Sequence, residues 1–529
     1  MSVTLGCRFP SRVPTESASL AVFSSGVNAA YVASERDIKD SPAAPSASLA
    51  TTGTPLHLKF IGQVRPLPSK IFGANADAGS EQLLNDPLKI QAIAQTAPAD
   101  LRFPGGTQSN YYDWHDGLPH VPPQPNSSSY YKLWVNLAQY YARQHPSGAY
   151  YEQYVPFAQQ VGGADIFLVP NLETSTISDQ TAWFQKLASE KMTPQFIELG
   201  NEFWVAMGDD PNVVKIWPNQ PFSTNTMHQY EEAFAPIVGP DAKFAIQASG
   251  ASFKYQPNDP SPFVQRLIQW DATLTPADWF QAVTVHLYPD PDKMSAEAGK
   301  PTRDRLFQLL MGRSDQGIDR VLDYIASKLP GKEIWVTEWS PRGGNPTDLN
   351  DPSKDLVTPD MQAHLMTRTM LAMLRHPEMT KALYFSLNST AGSDLQAYIL
   401  VNGKYLPTSF AVVLQWFDQA ANGGGTFQRV EDASGTPITG LGPFSESYLP
   451  VEGGVFQSAS HTTLILQNAS SQPYVYDATE GGQKPVPSQV QMIVASNFDA
   501  TAHTPAQITT LNPNQTIVLP PLSIVRIVW

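Results

Sequence analysis

The sequence predicts an α/β protein in which a (β/α)8 barrel, or TIM barrel, is followed by an antiparallel β-sandwich. Three observations carry this expectation. Eight short apolar runs alternate with helical or loop stretches between residues 70 and 387. Strands that are apolar on both faces belong to parallel sheets covered by helices. Polar residues recur where these runs end, namely Arg102, Asn171, Asn201, Glu202, His286, Tyr288 and Glu338, and the strand ends of this fold form the rim that carries chemistry. Beyond about residue 396, Gly and Pro turns alternate with short β-branched runs, the pattern of a sandwich.

Taken in order, residues 1–54 are rich in Ser, Ala, Thr and Pro and read as a disordered or leader segment. Arg8 and Arg12 precede the weakly apolar Ala18 to Phe23, a poor secretory signal with Glu16 before it, so secreted, periplasmic and cytoplasmic locations stay open. Leu56 to Ile61 alternates like a half-exposed strand and is a candidate to close the sandwich. The eight runs begin at Lys70, Asp100, Ile166, Phe196, Lys243, Ala282, Ile334 and Ala382. Helices are expected at Asp179 to Lys191, Gln229 to Val238, Arg320 to Leu329 and Met361 to Arg375. These bounds place a catalytic barrel at 55–395 and a sandwich domain at 396–529. The sandwich strands are expected at Val451 to Phe456, His461 to Gln467, Tyr474 to Asp477, Gln491 to Ala495, Thr516 to Leu519 and Ile524 to Trp529.

Composition narrows the function. A net charge of −14 argues against nucleic acid or an anionic membrane as partner, and no apolar run reaches the length of a membrane span. The single Cys7 excludes an intrachain disulfide. No His-x-x-x-His pair and no Gly-x-x-x-x-Gly-Lys loop occurs, so no metal or cofactor is expected; Asp290-Pro-Asp292 reads as a solvated loop. Aromatic content of 10% suits either a sugar-binding cleft, where flat rings stack, or a large core. Four Asn-x-Ser/Thr sites (Asn126, Asn388, Asn468, Asn514) matter only for a secreted eukaryotic protein.

Two stretches share one design. Phe196-Ile-Glu-Leu-Gly-Asn-Glu-Phe-Trp ends the fourth run with Asn201 and Glu202, and Glu333-Ile-Trp-Val-Thr-Glu-Trp-Ser ends the seventh with Glu338 and Trp339. An isolated Asn-Glu pair is most often a surface feature of a strand-to-helix loop. A second carboxylate at an opposed strand end changes that, because glycosidic cleavage needs a proton donor on the leaving oxygen and a second carboxylate across the anomeric carbon. Arg102 is placed to hold Glu338 as the anion, and Tyr288 to donate to the same carboxylate. His286, two residues earlier on the same face, suits a hydroxyl or a carboxylate, and Asn201 suits the sugar 2-hydroxyl. Singly, a strand His is usually a satisfied core group and an Arg before Pro-Gly-Gly usually only pins a loop; their coincidence at four strand ends outweighs those readings.

Leu199-Gly-Asn-Glu, His286-Leu-Tyr288 and Thr337-Glu338-Trp resemble the retaining glycoside hydrolases of clan A. Leu101-Arg-Phe-Pro-Gly-Gly, Tyr112-Asp-Trp-His-Asp-Gly and Asn171-Leu-Glu-Thr are similar to the family 51 α-L-arabinofuranosidases. Glu198-Leu-Gly-Asn-Glu, the Gly-Gly-Thr after Arg102, and Gly343-Gly344 resemble family 79, the β-glucuronidase and heparanase group. The family 39 β-xylosidases are a third resemblance. The likeness spans about residues 70–395 and implies Glu202 as acid/base, Glu338 as nucleophile, and Arg102, Asn201, His286 and Tyr288 around the −1 sugar. Where family 51 has a sugar-binding Glu after the first strand, this chain has Asn75 and Asp77, closer to family 79. Arg342 is a candidate for a glucuronide carboxylate, and Trp339 is expected beside the sugar. The resemblance therefore implies a retaining, exo-acting hydrolase of oligosaccharides, polysaccharides or other glycosides, with a β-glucuronide ranked above an α-L-arabinofuranoside. The alternative from another class is a catalytically inactive carbohydrate-binding barrel, which a panel of nitrophenyl glycosides separates.

Overall fold

The computed structural model describes residues 53–75, 86–122, 129–144, 146–205, 217–289, 291, 294, 302–341, 358–387, 397–477, 486–496, 498, 505–514 and 516–529. Cys7, Asp77, Asn126, Asp290, Asp292, Arg342, Gly343, Gly344 and Asn388 lie outside the described residues. Each of the eight apolar runs forms a strand: β1 (Phe72–Asn75), β2 (Asp100–Phe103), β3 (Asp165–Leu168), β4 (Phe196–Glu198), β5 (Lys243–Gln247), β6 (Ala282–Leu287), β7 (Glu333–Trp339) and β8 (Met379–Phe385). They pair in parallel and in sequence order, and β8 pairs with β1 to close the barrel. Strand register fixes the site, because Asn75 pairs with Arg102 and His286 with Glu338.

The N-terminal end of the barrel is filled rather than open. Phe167 and Phe196 stack at 4.7 Å, and Trp335 meets them edge-on at 5.0 and 5.6 Å. Lys381 lies 4.5 Å above the Phe196 ring and donates to Asp100 at 2.7 Å. This plug leaves the C-terminal mouth as the place where polar groups converge.

The covering helices follow from their caps. Thr176, Asn219 and Thr358 accept from the backbone N–H of Asp179, Phe222 and Met361 and start helices Ile177–Ser189, Gln220–Val238 and Pro359–Met373. Pro221 and Pro359 sit in the first turn, where no backbone donor is needed. Helix Ile318–Lys328 lies in the connection from β6 to β7. Helix Ser409–Ala421 lies beyond residue 395 and packs against both domains: Phe417 meets Phe72 of β1 at 6.0 Å and Phe456 at 5.7 Å.

The second domain has two sheets around one core. A seven-stranded antiparallel sheet runs in the order Leu58–Leu67, Gly425–Asp432, Val451–Gln457, Thr462–Asn468, Ser523–Val528, Gln489–Val494, Ile508–Thr510. A three-stranded sheet contains Thr54–Pro55, Tyr474–Tyr476 and Ile517–Leu519. Val451, Leu464 and Val525 from the first meet Tyr476, Ile517 and Leu519 from the second. The strand that precedes the barrel thus belongs to this domain. Asn468 is buried, with its amide donating to the carbonyls of Gln472 and Pro520, so its side chain is a structural clamp. No helix among the described residues is long and apolar enough to cross a membrane.

Candidate active site

The site is built from the turn after β4. Gly200 has φ +82°, and a Cβ there would lie 2.1 Å from the Phe203 ring, so the turn requires glycine. Two side chains fix its shape. Gln247 of β5 donates to Leu199 O at 2.8 Å and accepts from Phe203 N at 3.0 Å. Asn110 accepts from Asn201 N at 3.3 Å and donates to Asn201 O at 3.0 Å. Phe203 stacks on Trp217 at 3.9 Å. Held in this way, Glu202 adopts φ +51°, an uncommon backbone for a residue with a side chain.

Arg102, fully buried on β2, organises the floor. Its Nε donates to Glu198 Oε2 at 2.7 Å, Nη1 donates to Glu338 Oε1, and Nη2 donates to Asn201 Oδ1 at 2.8 Å. Tyr288 donates to the other Glu338 oxygen at 2.6 Å. His286 joins the two halves. Its Nδ1 lies 2.8 Å from Glu202 Oε1 and 3.6 Å from Glu338 Oε2, and its Nε2 lies 3.1 Å from Thr337 Oγ1 and 3.6 Å from Glu198 Oε1. One oxygen each of Glu202 and Glu338 and one nitrogen of His286 lie within 4.8 Å of one another.

The charges explain the ionisation. Burial alone would lower the His286 midpoint, but the Glu338 charge and hydrogen bonds to Glu198 and Glu202 outweigh it and raise the midpoint to about 9. Burial would likewise raise Glu198; Arg102 and His286 overcome it and hold that carboxyl below its ordinary range. His286 is therefore an imidazolium at neutral pH. As an imidazolium it donates from Nδ1 to Glu202 and from Nε2 to Thr337.

The structure brings Arg102, Asn201, Glu202, His286, Tyr288 and Glu338 together. Asn75 lies under them, with Nδ2 donating to Thr337 O at 2.9 Å and Oδ1 3.4 Å from Arg102 Nη1. Trp339 faces elsewhere: its buried ring lies 5.6 Å from Tyr384, away from the carboxylates. The reason is a register shift on β7 between Val336 and Trp339, which breaks the alternation that would put Trp335, Thr337 and Trp339 on one face: Thr337 and Glu338 both reach the cluster, and Trp339 turns to the outer face beside Tyr384. Asn171 ties its loop to the one after β2, donating to Tyr112 O and to Thr174 Oγ1. Glu198, Thr337, Asn110 and Gln247 belong to the cluster without having been singled out from sequence. Glu198 alone carried a signal, as the lone charge in an apolar strand.

A cleft opens at Glu202, lined also by Trp204, Lys254, Tyr255, Phe263 and Tyr288. The Glu202 side chain is 13% exposed and borders the cleft, whereas that of Glu338 is 0% exposed and lies behind the lining residues His286 and Tyr288.

In fold, the chain is similar to the glycoside hydrolases of clan A. The particular likeness is to family 51. The GH51 arabinofuranosidase from Xanthomonas axonopodis pv. citri is 14% identical with a TM-score of 0.60, over 89% of this chain and 100% of that one. A family 51 α-L-arabinofuranosidase from Bifidobacterium longum is 13% identical with a TM-score of 0.61, over 90% and 100%. A 4-O-α-L-rhamnosyl-β-D-glucuronidase from Fusarium oxysporum 12S is 11% identical with a TM-score of 0.53, over 89% and 99%. No protein-family model matches the sequence, and no curated protein matches it.

Proposed function

We propose that this chain is a retaining, exo-acting glycoside hydrolase that cleaves terminal glycosides by double displacement. The observation that carries the reading is the close approach of Glu202 and Glu338, with oxygens within 4.8 Å. Inverting enzymes separate their carboxyls by about 6.5–9.5 Å to seat a water, and retaining ones by about 5–5.5 Å. In the first step a Glu338 oxygen attacks the anomeric carbon while Glu202 gives its proton to the leaving oxygen. Glu338 becomes an ester, and the aglycone leaves through the cleft. In the second step Glu202 takes a proton from water, which attacks the same carbon and releases Glu338. Arg102 and Tyr288 each donate to one Glu338 oxygen, which keeps its carboxylate plane fixed through both steps. Asn201 Nδ2 is buried with no hydrogen-bond partner among the described residues, which suits a donor kept for a sugar hydroxyl.

Lys254 favours an anionic sugar. It lines the cleft with Glu202, with Nζ 5.9 Å from the Tyr288 ring centre, so a β-glucuronide ranks above an α-L-arabinofuranoside. A panel of nitrophenyl glycosides, with the first-formed anomer followed by NMR, tests the proposal. Turnover with retained configuration is expected. Inversion by the wild-type protein sinks the double displacement, and turnover of a β-xyloside alone sinks both sugar assignments.

A further inference from the structure

The double displacement uses Glu202 and Glu338 and leaves a third buried carboxylate unexplained. Glu198 is 0% exposed, in the middle of the barrel. A lone carboxylate there would be costly, so its partners define what it does. It accepts from Arg102 Nε at 2.7 Å and from Thr337 Oγ1 at 3.1 Å. The same hydroxyl lies 3.1 Å from His286 Nε2, which is 3.6 Å from Glu198 Oε1. Glu198 thus touches the cation that holds Glu338 and faces the cation that holds Glu202.

We propose that Glu198 is a positioning residue whose charge holds His286 as the cation beside Glu202. This rests on the reading of Glu202 as the acid. The charged and titratable groups facing His286 are Glu198 and Glu202 around the β4 turn, Glu338 on β7, Tyr288 beyond β6 and Arg102 on β2; Thr337 and the Trp204 ring complete its surroundings. With Glu198 neutral, His286 loses one of the carboxylates that favour its proton and gives that proton up at lower pH, which removes the cation that orients Glu202.

The test is Glu198→Gln in the full chain. Imidazole NMR signals, with His286 identified by their loss in His286→Asn, give its midpoint in wild type and variant. The midpoint is expected to fall by about one pH unit or more, and the alkaline limb of kcat/KM to move down with it. Poor leaving groups are expected to slow about tenfold more than dinitrophenol, which needs no proton. A purely structural role predicts lower activity with midpoint and limb unmoved, and that result overturns the proposal. Should Glu198→Gln fail to fold, Thr337→Val removes the shared hydroxyl; a smaller fall in the same direction is expected, and an unchanged midpoint is equally fatal. If Glu202→Ala shows no dependence on the leaving group while the His286 midpoint still falls, the acid assignment fails and the hold of Glu198 on His286 stands.

Discussion

Raising the pH through the alkaline range should loosen the barrel through one side chain. His286 titrates at about 9 in the fold against an ordinary 6.5. Since the folded midpoint is the higher, the folded state holds the proton more tightly than the unfolded chain. The stabilisation is fully present below pH 6.5 and is lost as pH rises through about 9. The difference corresponds to about 3 kcal/mol, a large part of the stability of an ordinary domain. The perturbation is His286→Asn, and the assay is urea unfolding at a series of pH values from 6 to 10. Absolute stability will differ because the variant leaves Arg102 as the one cation facing Glu198 and Glu338 among the described residues. The slope is the readout, and wild type should lose about 1.4 kcal/mol per pH unit between 7 and 9 while the variant stays nearly flat. Parallel loss in both proteins would refute the assignment of the proton to His286.

Other outcomes are expected from the same structure. Glu338→Ala should lower turnover by orders of magnitude for every aglycone, whereas Glu202→Ala should depend on the leaving group and recover with azide, giving a glycosyl azide of retained configuration. His364 is buried, with Nε2 3.2 Å from Ala495 O and Nδ1 accepting from Gln467; burial lowers its midpoint to about 4, so stability is lost as pH falls from 6.5 through 4, and His364→Gln should flatten that acid limb in urea unfolding. Glu452→Gln should destabilise by about 3 kcal/mol in thermal unfolding, because it strips the shared acceptor from Arg368, Arg375 and Arg429. Ending the chain at residue 515 removes Ser523–Val528, which pairs with Thr462–Asn468 and Gln489–Val494, and should give insoluble protein; a soluble, active fragment would contradict this.

The barrel was legible because strands buried on both faces have a composition that surface strands cannot have, and all eight runs became strands. The sandwich was legible as strands but not as sheets. The pairing of Thr54–Pro55 with Tyr474–Tyr476, across the whole barrel, leaves no local trace. In the site, carboxylates at strand ends were visible as exceptions to an apolar pattern. Trp339 misled because proximity in sequence was taken as proximity in space, and the register shift between Val336 and Trp339 that turns its ring to the outer face leaves no trace in the sequence. Glu198 follows the opposite logic: two residues before Gly200 on an apolar strand, it was visible as a charge, but only the barrel's curvature shows that it points at Arg102.

Two buried charge clusters in this protein obey different rules, and the difference locates the chemistry. Between barrel and sandwich, Arg368, Arg375 and Arg429 face Asp315, Asp319 and Glu452. Glu431 and His376 join at the edge, on Arg429 and Asp319, and both buried carboxylates, Asp315 and Glu452, are held by two or more arginines, so nothing is left to move. At the barrel mouth, Arg102 and His286 face Glu198, Glu202 and Glu338. Among the described residues three carboxyls there share two buried cations, and the third cation, Lys254, stands at the cleft wall. A buried site avoids an uncompensated charge, so the surplus carboxyl is neutral when it carries a proton and strained when it does not. Of the three, Glu202 alone has an exposed part and borders the cleft, which makes it the one that can pass the proton to a leaving group and take it back from water. Glu202→Gln, which fixes that position neutral, should therefore leave stability nearly unchanged between pH 5 and 8 while removing turnover of unactivated glycosides. A stability loss comparable to that of Glu452→Gln would show that Glu202 is a paired anion like the interface carboxylates, and the surplus-proton argument would fall.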